Sequence, residues 1–232
     1  MVEAAFLEEI LSITLLSLRV SGTAVLIGAL IGVPIGAVLG LGRFGGKKTL
    51  MLFVDIAVRG IVNTFMGLPP VVVGLVVYLL LSSSGPLGPL GLLYTPTAMI
   101  ITQLIMAVPI IIGVTMSAVG SVEKAIREKA LSLGATDRQA DWMVLREARM
   151  GVLTAIIVAF GAAISEVGGI MITGGNIMRG TSAVTRTLTT AIVVETNLGD
   201  FELAISLGLI LLSMAFIINL VLTILQLRGA KR

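Results

Sequence analysis

The chain contains no cysteine and no histidine. Without thiolate or imidazole it lacks the usual ligands for haem, iron–sulfur clusters and transition metals, and neither a disulfide nor a His-based catalytic triad can be built from it. No catalytic residues, no metal ligands and no cofactor are therefore expected in this chain. Charge is also scarce: Asp, Glu, Lys and Arg make up 12% of the 232 residues, about half the share usual in soluble domains. A formal net charge of +3 is too small to suggest a nucleic-acid partner. A phosphate-binding G-x-x-x-x-G-K-[ST] loop is missing as well, so ATP chemistry, where needed, belongs to another chain.

What the sequence has in abundance is apolar surface. Hydrophobic residues are 56% of the chain and the mean hydropathy is +1.09, which specifies an integral membrane protein. The 27 Gly and 7 Pro fit an all-α membrane protein, because small residues let helices approach closely and neighbours satisfy freed backbone groups. A bilayer-crossing helix needs about 20 mostly apolar residues. Five stretches qualify: about 20–41, 54–81, 97–119, 151–173 and 201–227. Residues 6–18 extend the first outward, with Glu8, Glu9 and Arg19 near an interface. Residues 54–66 supply the lower turns of the second despite Asp55 and Arg59. The TLTTAIVVE core within 174–200 is too short to cross and reads as a re-entrant or surface helix. The whole chain, 1–232, is one transmembrane domain.

Lys and Arg in short loops are retained on the cytoplasmic side. Arg43, Lys47 and Lys48 follow the first span, Lys124, Arg127, Lys129, Arg138, Arg146 and Arg149 follow the third, and Arg228, Lys231 and Arg232 end the chain. With five crossings all three groups share one side, which puts the N-terminus outside and the C-terminus in the cytoplasm. The start lacks a basic n-region and a small-residue cleavage site, so the first span is expected to remain in the mature protein.

The polar run EKALSLGATDRQADWMV at 128–144 stands out in so apolar a chain. Ser121 is placed to cap a helix through Leu133 whose apolar stripe is Val122, Ile126, Ala130 and Leu133. Gly134 stops it, because glycine adopts the left-handed conformation without steric cost. Thr136 and Gln139 then form a capping box that opens a second helix through Trp142 and Val144. A solvated basic loop that only fixes topology would need none of these three devices.

These residues resemble the cytoplasmic motif of bacterial and archaeal ABC importer permeases: E-A-A, three residues, G, about nine residues, then I-x-L-P. Glu128-Lys129-Ala130, Leu131-Ser132-Leu133 and Gly134 match the first half, with Val144 at the Ile position. Lys129 replaces the first Ala, and Arg146 and Glu147 stand where Leu and Pro are usual. The resemblance implies a five-span type I ABC importer permease bundle in a prokaryotic inner membrane. Its cytoplasmic coupling-helix hairpin, at about 120–147, would dock a separate ATPase through Glu128, Lys129, Ala130, Leu133, Gly134, Ala135 and Thr136. Three further stretches look like the tungstate or molybdate branch: NTFMGLPPVVVGLVVYLLLSSSGPLGPLG (63–91), SEVGGIMITGGNI (165–177) and TRTLTTAIVVET (185–196). The partners implied are a second copy of the chain, a cytoplasmic ABC ATPase dimer with its own ATP and Mg, and an extracytoplasmic oxyanion-binding protein. Rival readings are a permease for sulfate or phosphate, an ion-coupled secondary carrier, or a membrane anchor without transport.

Chemistry suggests roles within those blocks. Pro69 and Pro70 either kink a gating helix or simply begin one. Ser165, Glu166 and Gly168 form a candidate pore or gate with them, because an ionisable group inside a span normally faces a cavity or partner. A carboxylate repels a dianionic oxyanion, so Glu166 is expected instead to pair with an Arg or accept backbone hydrogen bonds that fix Gly168 and Gly169 against another helix. Neutral donors and forked Arg contacts suit an oxyanion better. Asn176, Arg179 and Arg186 supply such groups, either on the anion path or on the face that receives a binding protein. Ordinary surface arginines remain the plain alternative.

Overall fold

The computed structural model describes residues 2–42, 48–122 and 124–230. Arg43, Lys47, Glu123, Lys231 and Arg232, which entered the topology and hairpin readings, lie outside the described residues. The helices in chain order are α1 (Val2–Gly40), α2 (Lys48–Met66), α3 (Pro70–Leu81), α4 (Pro96–Gly120), α5 (Lys124–Ser132), α6 (Asp137–Glu147), α7 (Arg149–Ile164), α8 (Gly168–Gly174), α9 (Leu188–Leu198) and α10 (Phe201–Ala230). A two-stranded antiparallel ribbon, β1 (Met178–Arg179) and β2 (Ser182–Ala183), lies between α8 and α9, with Met178 opposite Ala183.

The spine is the parallel pair α1 and α4, in which Gly28 meets Ala107 and Gly40 meets Val119. Gly28, Gly32, Gly36 and Gly40 recur every fourth residue and so share one face of α1. That face lies directly on Ile111, Thr115 and Val119 of α4. A Cβ built at Gly36 would sit 2.7 Å from the carbonyl oxygen of Ile112 and 2.8 Å from the Cβ of Thr115. Lipid tails are as apolar as leucine, so membrane helices associate through close packing of this kind rather than through exclusion of water. Helix α7 completes the core in the same manner: Ala155, Ala159 and Ala163 pack with Val25, Ala107 and Ile111. Helix α10 leans on α7, where Gln226 Nε2 donates to Thr154 Oγ1 at 2.7 Å. At the end opposite the α5–α6 hairpin, Ile13, Leu188, Ala191 and Leu207 bring α1, α9 and α10 together.

Among the described residues three helices, α1, α4 and α10, are each long and apolar enough to cross a bilayer; two bent pairs raise the number to five if each pair is one span. The second span expected at 54–81 is not one helix: α2 and α3 meet at 88°. Pro69 is the N-cap of α3 and Pro70 its first residue, so this Pro pair begins a helix after a sharp turn rather than kinking a continuous one. The fourth, expected at 151–173, is also broken, because α7 stops at Ile164 and α8 restarts at Gly168. Ser121 does not cap α5. It is the C-cap of α4, its backbone N–H bonded to Ser117 O and its hydroxyl to Ala118 O at 2.8 Å. The second hairpin helix runs past Val144 to Glu147, and only Ala148 separates it from α7, at a bend of 54°. The short segment after α8 holds a helix of 11 residues, α9, whose first turn is buried.

The α1–α4 contact predicts opposite effects for two glycines. Gly36→Ala should destabilise the detergent-solubilised protein by about 1–3 kcal/mol, since backbone has to move. Gly22, with nothing within 4 Å of its Cβ position, should gain up to about 1 kcal/mol on replacement by Ala. Thermal unfolding midpoints of the two variants against the parent chain check both signs.

Candidate functional site: hairpin corner and mid-span break

The hairpin is built as its local sequence dictates. Gly134 has φ +86°, and its N–H bonds to Leu131 O at 3.0 Å while Ala135 N–H bonds to Ala130 O at 3.1 Å. This pair of bonds is the Schellman stop, which needs a left-handed residue. Thr136 caps α6: its backbone N–H donates to Gln139 Oε1 at 2.8 Å, and Gln139 N–H returns to Thr136 Oγ1 at 3.4 Å. Arg127 of α5 clasps α6, with Nη2 2.7 Å from Asp137 Oδ1 and Nε 3.2 Å from Asp141 Oδ1. The bond to Asp141, followed by that to Asp137, holds the guanidinium above its ordinary pKa.

The expected apolar stripe divides. Val122 packs against Val119, Val144 and Ala148 at the end of the bundle, and Ala130 is buried. Leu133, by contrast, is 80% exposed, beside Trp142 at 67% and Met143 at 47%. These three and Gly134 line an open groove of about 590 Å³ at the corner. Half-buried Ala135 and exposed Arg138 and Gln139 also line it, and Glu128, Lys129 and Thr136 are exposed on the hairpin. Trp142 and Met143 were missed in sequence as docking candidates. The available signal was a tryptophan among charged residues on a helix that buries only Ala140 and Val144.

The second cluster is the break between α7 and α8. Glu166 is buried, and its Oε1 accepts from Gly169 N–H at 2.7 Å. It thus satisfies an orphan donor at the start of α8, one of the two roles its sequence allowed. Two other helices serve the same break. Gln103 Nε2 of α4 donates to Ala163 O at 2.8 Å, and Thr189 Oγ1 of α9 donates to Glu166 O at 2.8 Å. Ser165 is exposed and bonds back to Gly161 O at 2.6 Å. Helix α3 then crosses α8 almost backbone to backbone: a Cβ on Gly74 would lie 2.6 Å from Gly169 Cα, one on Gly169 2.9 Å from Pro70 O, and one on Gly168 2.6 Å from Val71 Cγ2. Pro70, Glu166 and Gly168 are therefore brought together, with Pro69 one residue before α3.

The polar segment after α8 is less uniform than its sequence suggests. Asn176 is left-handed at φ +53°, and its Oδ1 is buried without a hydrogen-bond partner. Arg179 is exposed on β1. Arg186 is not a surface arginine: its Nη2 pairs with Glu195 Oε1, and both side chains are largely buried. Its charge is neutralised there, which leaves Arg179 as the exposed cation of the three candidates.

A family model described as the binding-protein-dependent transport system inner membrane component matches residues 32–231. The chain belongs to that family. Among its relatives, a probable anion ABC transporter permease protein of Haloferax volcanii is 47% identical over 92% of this chain and 89% of its own length. The tungstate uptake system permease protein TupB of Peptoclostridium acidaminophilum is 39% identical over 96% of this chain and 92% of its own length. The TupB protein of Campylobacter jejuni is 38% identical over 71% and 67%. In three dimensions the permease superposes on a chain of the inward-facing MetNI methionine ABC transporter with a TM-score of 0.75, at 18% identity and 99% coverage of both chains. The fold is thus that of the type I ABC importer permeases, and the protein is the multi-pass membrane subunit of an ABC importer.

Because Gln retains the accepting oxygen, Glu166→Gln in the permease should keep the start of α8 and leave the unfolding midpoint nearly unchanged. Glu166→Leu removes the cap and should cost about 1–2 kcal/mol, read as a lowered midpoint. Equal losses in both variants would show that the charge, not the cap, holds the break.

Proposed function

We propose that this permease carries tungstate, with molybdate as the related oxyanion it also accepts, into the cell. The observation that carries this reading is the near full-length similarity to a tungstate uptake permease. In this reading the domain spans the whole chain, 1–232. Two copies line one translocation path, with the N-terminus outside and the C-terminus in the cytoplasm. A binding protein delivers the anion to the far end of the bundle, where Asn176 and exposed Arg179 offer an amide and a forked cation. The permease itself binds the anion weakly, because conduction requires release. Glu166 is not a ligand: its Oε1 is already engaged by Gly169 N–H, and its charge would repel an oxyanion. Arg186 serves the fold through Glu195.

ATP is hydrolysed on a separate subunit, which grips the hairpin corner. Leu133, Trp142 and Met143 supply the apolar contact, Gly134, Ala135 and Thr136 hold its shape, and Glu128 and Lys129 set register by charge. This is helix-in-groove recognition, in which a buried tryptophan is a common anchor. Closure of the ATPase pair rocks the two bundles between outward-open and inward-open states.

Two outcomes are expected. In vesicles holding the complete transporter, ATP-dependent accumulation of tungsten, measured by elemental mass spectrometry, should be suppressed by molybdate and barely changed by excess sulfate; stronger inhibition by sulfate than by molybdate removes the substrate assignment. Proline at position 134 can neither adopt φ +86° nor donate the bond to Leu131, so Gly134→Pro should leave the chain membrane-inserted but abolish copurification of the ATPase. Undiminished copurification would refute docking at this corner.

A further inference from the structure

Arg19 has no part in the transport reading. It lies exposed on α1, in a row with Leu11, Leu15, Leu26 and Leu30, all of them also exposed. These positions recur along one face of a helix, so Arg19 interrupts an otherwise leucine surface that looks away from the bundle. No ion pair or hydrogen bond is formed by its side chain among the described residues. The nearest acid before it on α1, Glu9, lies about 15 Å along the helix axis. Gly40, at the hairpin end of α1, packs on Val119 near the end of α4. The rise from Gly40 back to Arg19 is about 32 Å at about 1.5 Å per residue, and the hydrocarbon layer is about 30 Å thick. With Gly40 at one boundary, Arg19 stands at the other, where phosphates of the lipid headgroups lie.

Leu18, the residue before Arg19, opens onto a side-facing groove of about 530 Å³ between α1 and α10, lined also by Thr14 of α1 and by Leu209, Met214 and Ile217 of α10 among others. Its wall is almost wholly apolar. The volume falls in the range of about 300–1,000 Å³ typical of small-molecule sites. Leu18 lines the groove and Arg19 is the next residue, so a ligand with an anionic head and a hydrocarbon tail satisfies both features at once.

We infer that this groove holds one anionic glycerophospholipid from the leaflet opposite the hairpin, its phosphate on Arg19 and an acyl chain between Leu18 and Ile217. Arg suits the task because its fork matches two phosphate oxygens while its stem rests on the neighbouring leucines. The lipid fills the cleft between α1 and α10 and so ties α10, which leans on α7 and α9, to the α1–α4 spine. A second copy of the chain seated here would instead leave the unpaired cation facing apolar surface.

This chain contains no cysteine, so an introduced one is its single labelling site when the permease is labelled before the transporter is assembled. The assembled transporter carrying Ile217→Cys, labelled with bimane, is placed in phosphatidylcholine nanodiscs containing increasing brominated phosphatidylglycerol or brominated phosphatidylcholine. Half-maximal quenching is expected at about five-fold lower content of the glycerol lipid, the factor one basic residue confers near anionic lipid. Arg19→Gln should erase that preference without lowering the unfolding midpoint by itself. A Leu30→Cys probe, outside the groove, should show no preference with Arg19 intact. Equal quenching by the two lipids at position 217, a preference that survives Arg19→Gln, or no quenching because protein covers the site would each overturn the assignment.

Discussion

Every backbone amide and carbonyl exposed by a broken helix inside a bilayer must find a partner in the protein, since no water is there to supply one. The gap between α7 and α8 is organised by that requirement. Three side chains from three parts of the chain meet it: Gln103 takes the Ala163 carbonyl, Thr189 takes the Glu166 carbonyl, and Glu166 takes the Gly169 amide. A conformational unit made this way is local in sequence but owned by the whole bundle. A change in α4 or α9 is felt at residues 163–169 without touching them.

Close backbone approach does the remaining work of assembly. Glycine on α1 meets α4, alanine on α7 meets both, and Gly74 meets Gly169. Such contacts gain from dispersion at short range and tolerate almost no added volume. They also explain how so glycine-rich a chain remains helical: at these positions a missing side chain is what lets two helices touch.

The parts of this architecture that sequence reveals are those with local causes. Gly134, Thr136 and Gln139 sit within six consecutive residues and specify the hairpin corner unaided. The two broken spans were less legible for different reasons. Pro69 and Pro70 carried a local signal, but whether they kink or begin a helix depends on what α3 packs against. Ser165-Glu166-Val167 carries almost none, because flanking apolar residues read through it and the side chains that stabilise the gap lie 60 residues away at Gln103 and 23 away at Thr189. The Arg186–Glu195 pair hid for a similar reason: its members lie nine residues apart across a turn and a helix start, a spacing that no helical or strand period marks. Ser121 misled because a serine after an apolar helix serves equally as its end or as the next one's beginning.

Only Ala148 intervenes between α6 and α7, and it keeps helical dihedrals. Helix α7 is an arm about 24 Å long that runs from the hairpin to the Glu166 junction and packs on α1 and α4 through Ala155, Ala159 and Ala163. Swinging such an arm by a mere 5° displaces its tip by about 2 Å. Gly74 and Gly169 approach too closely to absorb such travel, so a displacement of α8 by that amount would carry α3 with it.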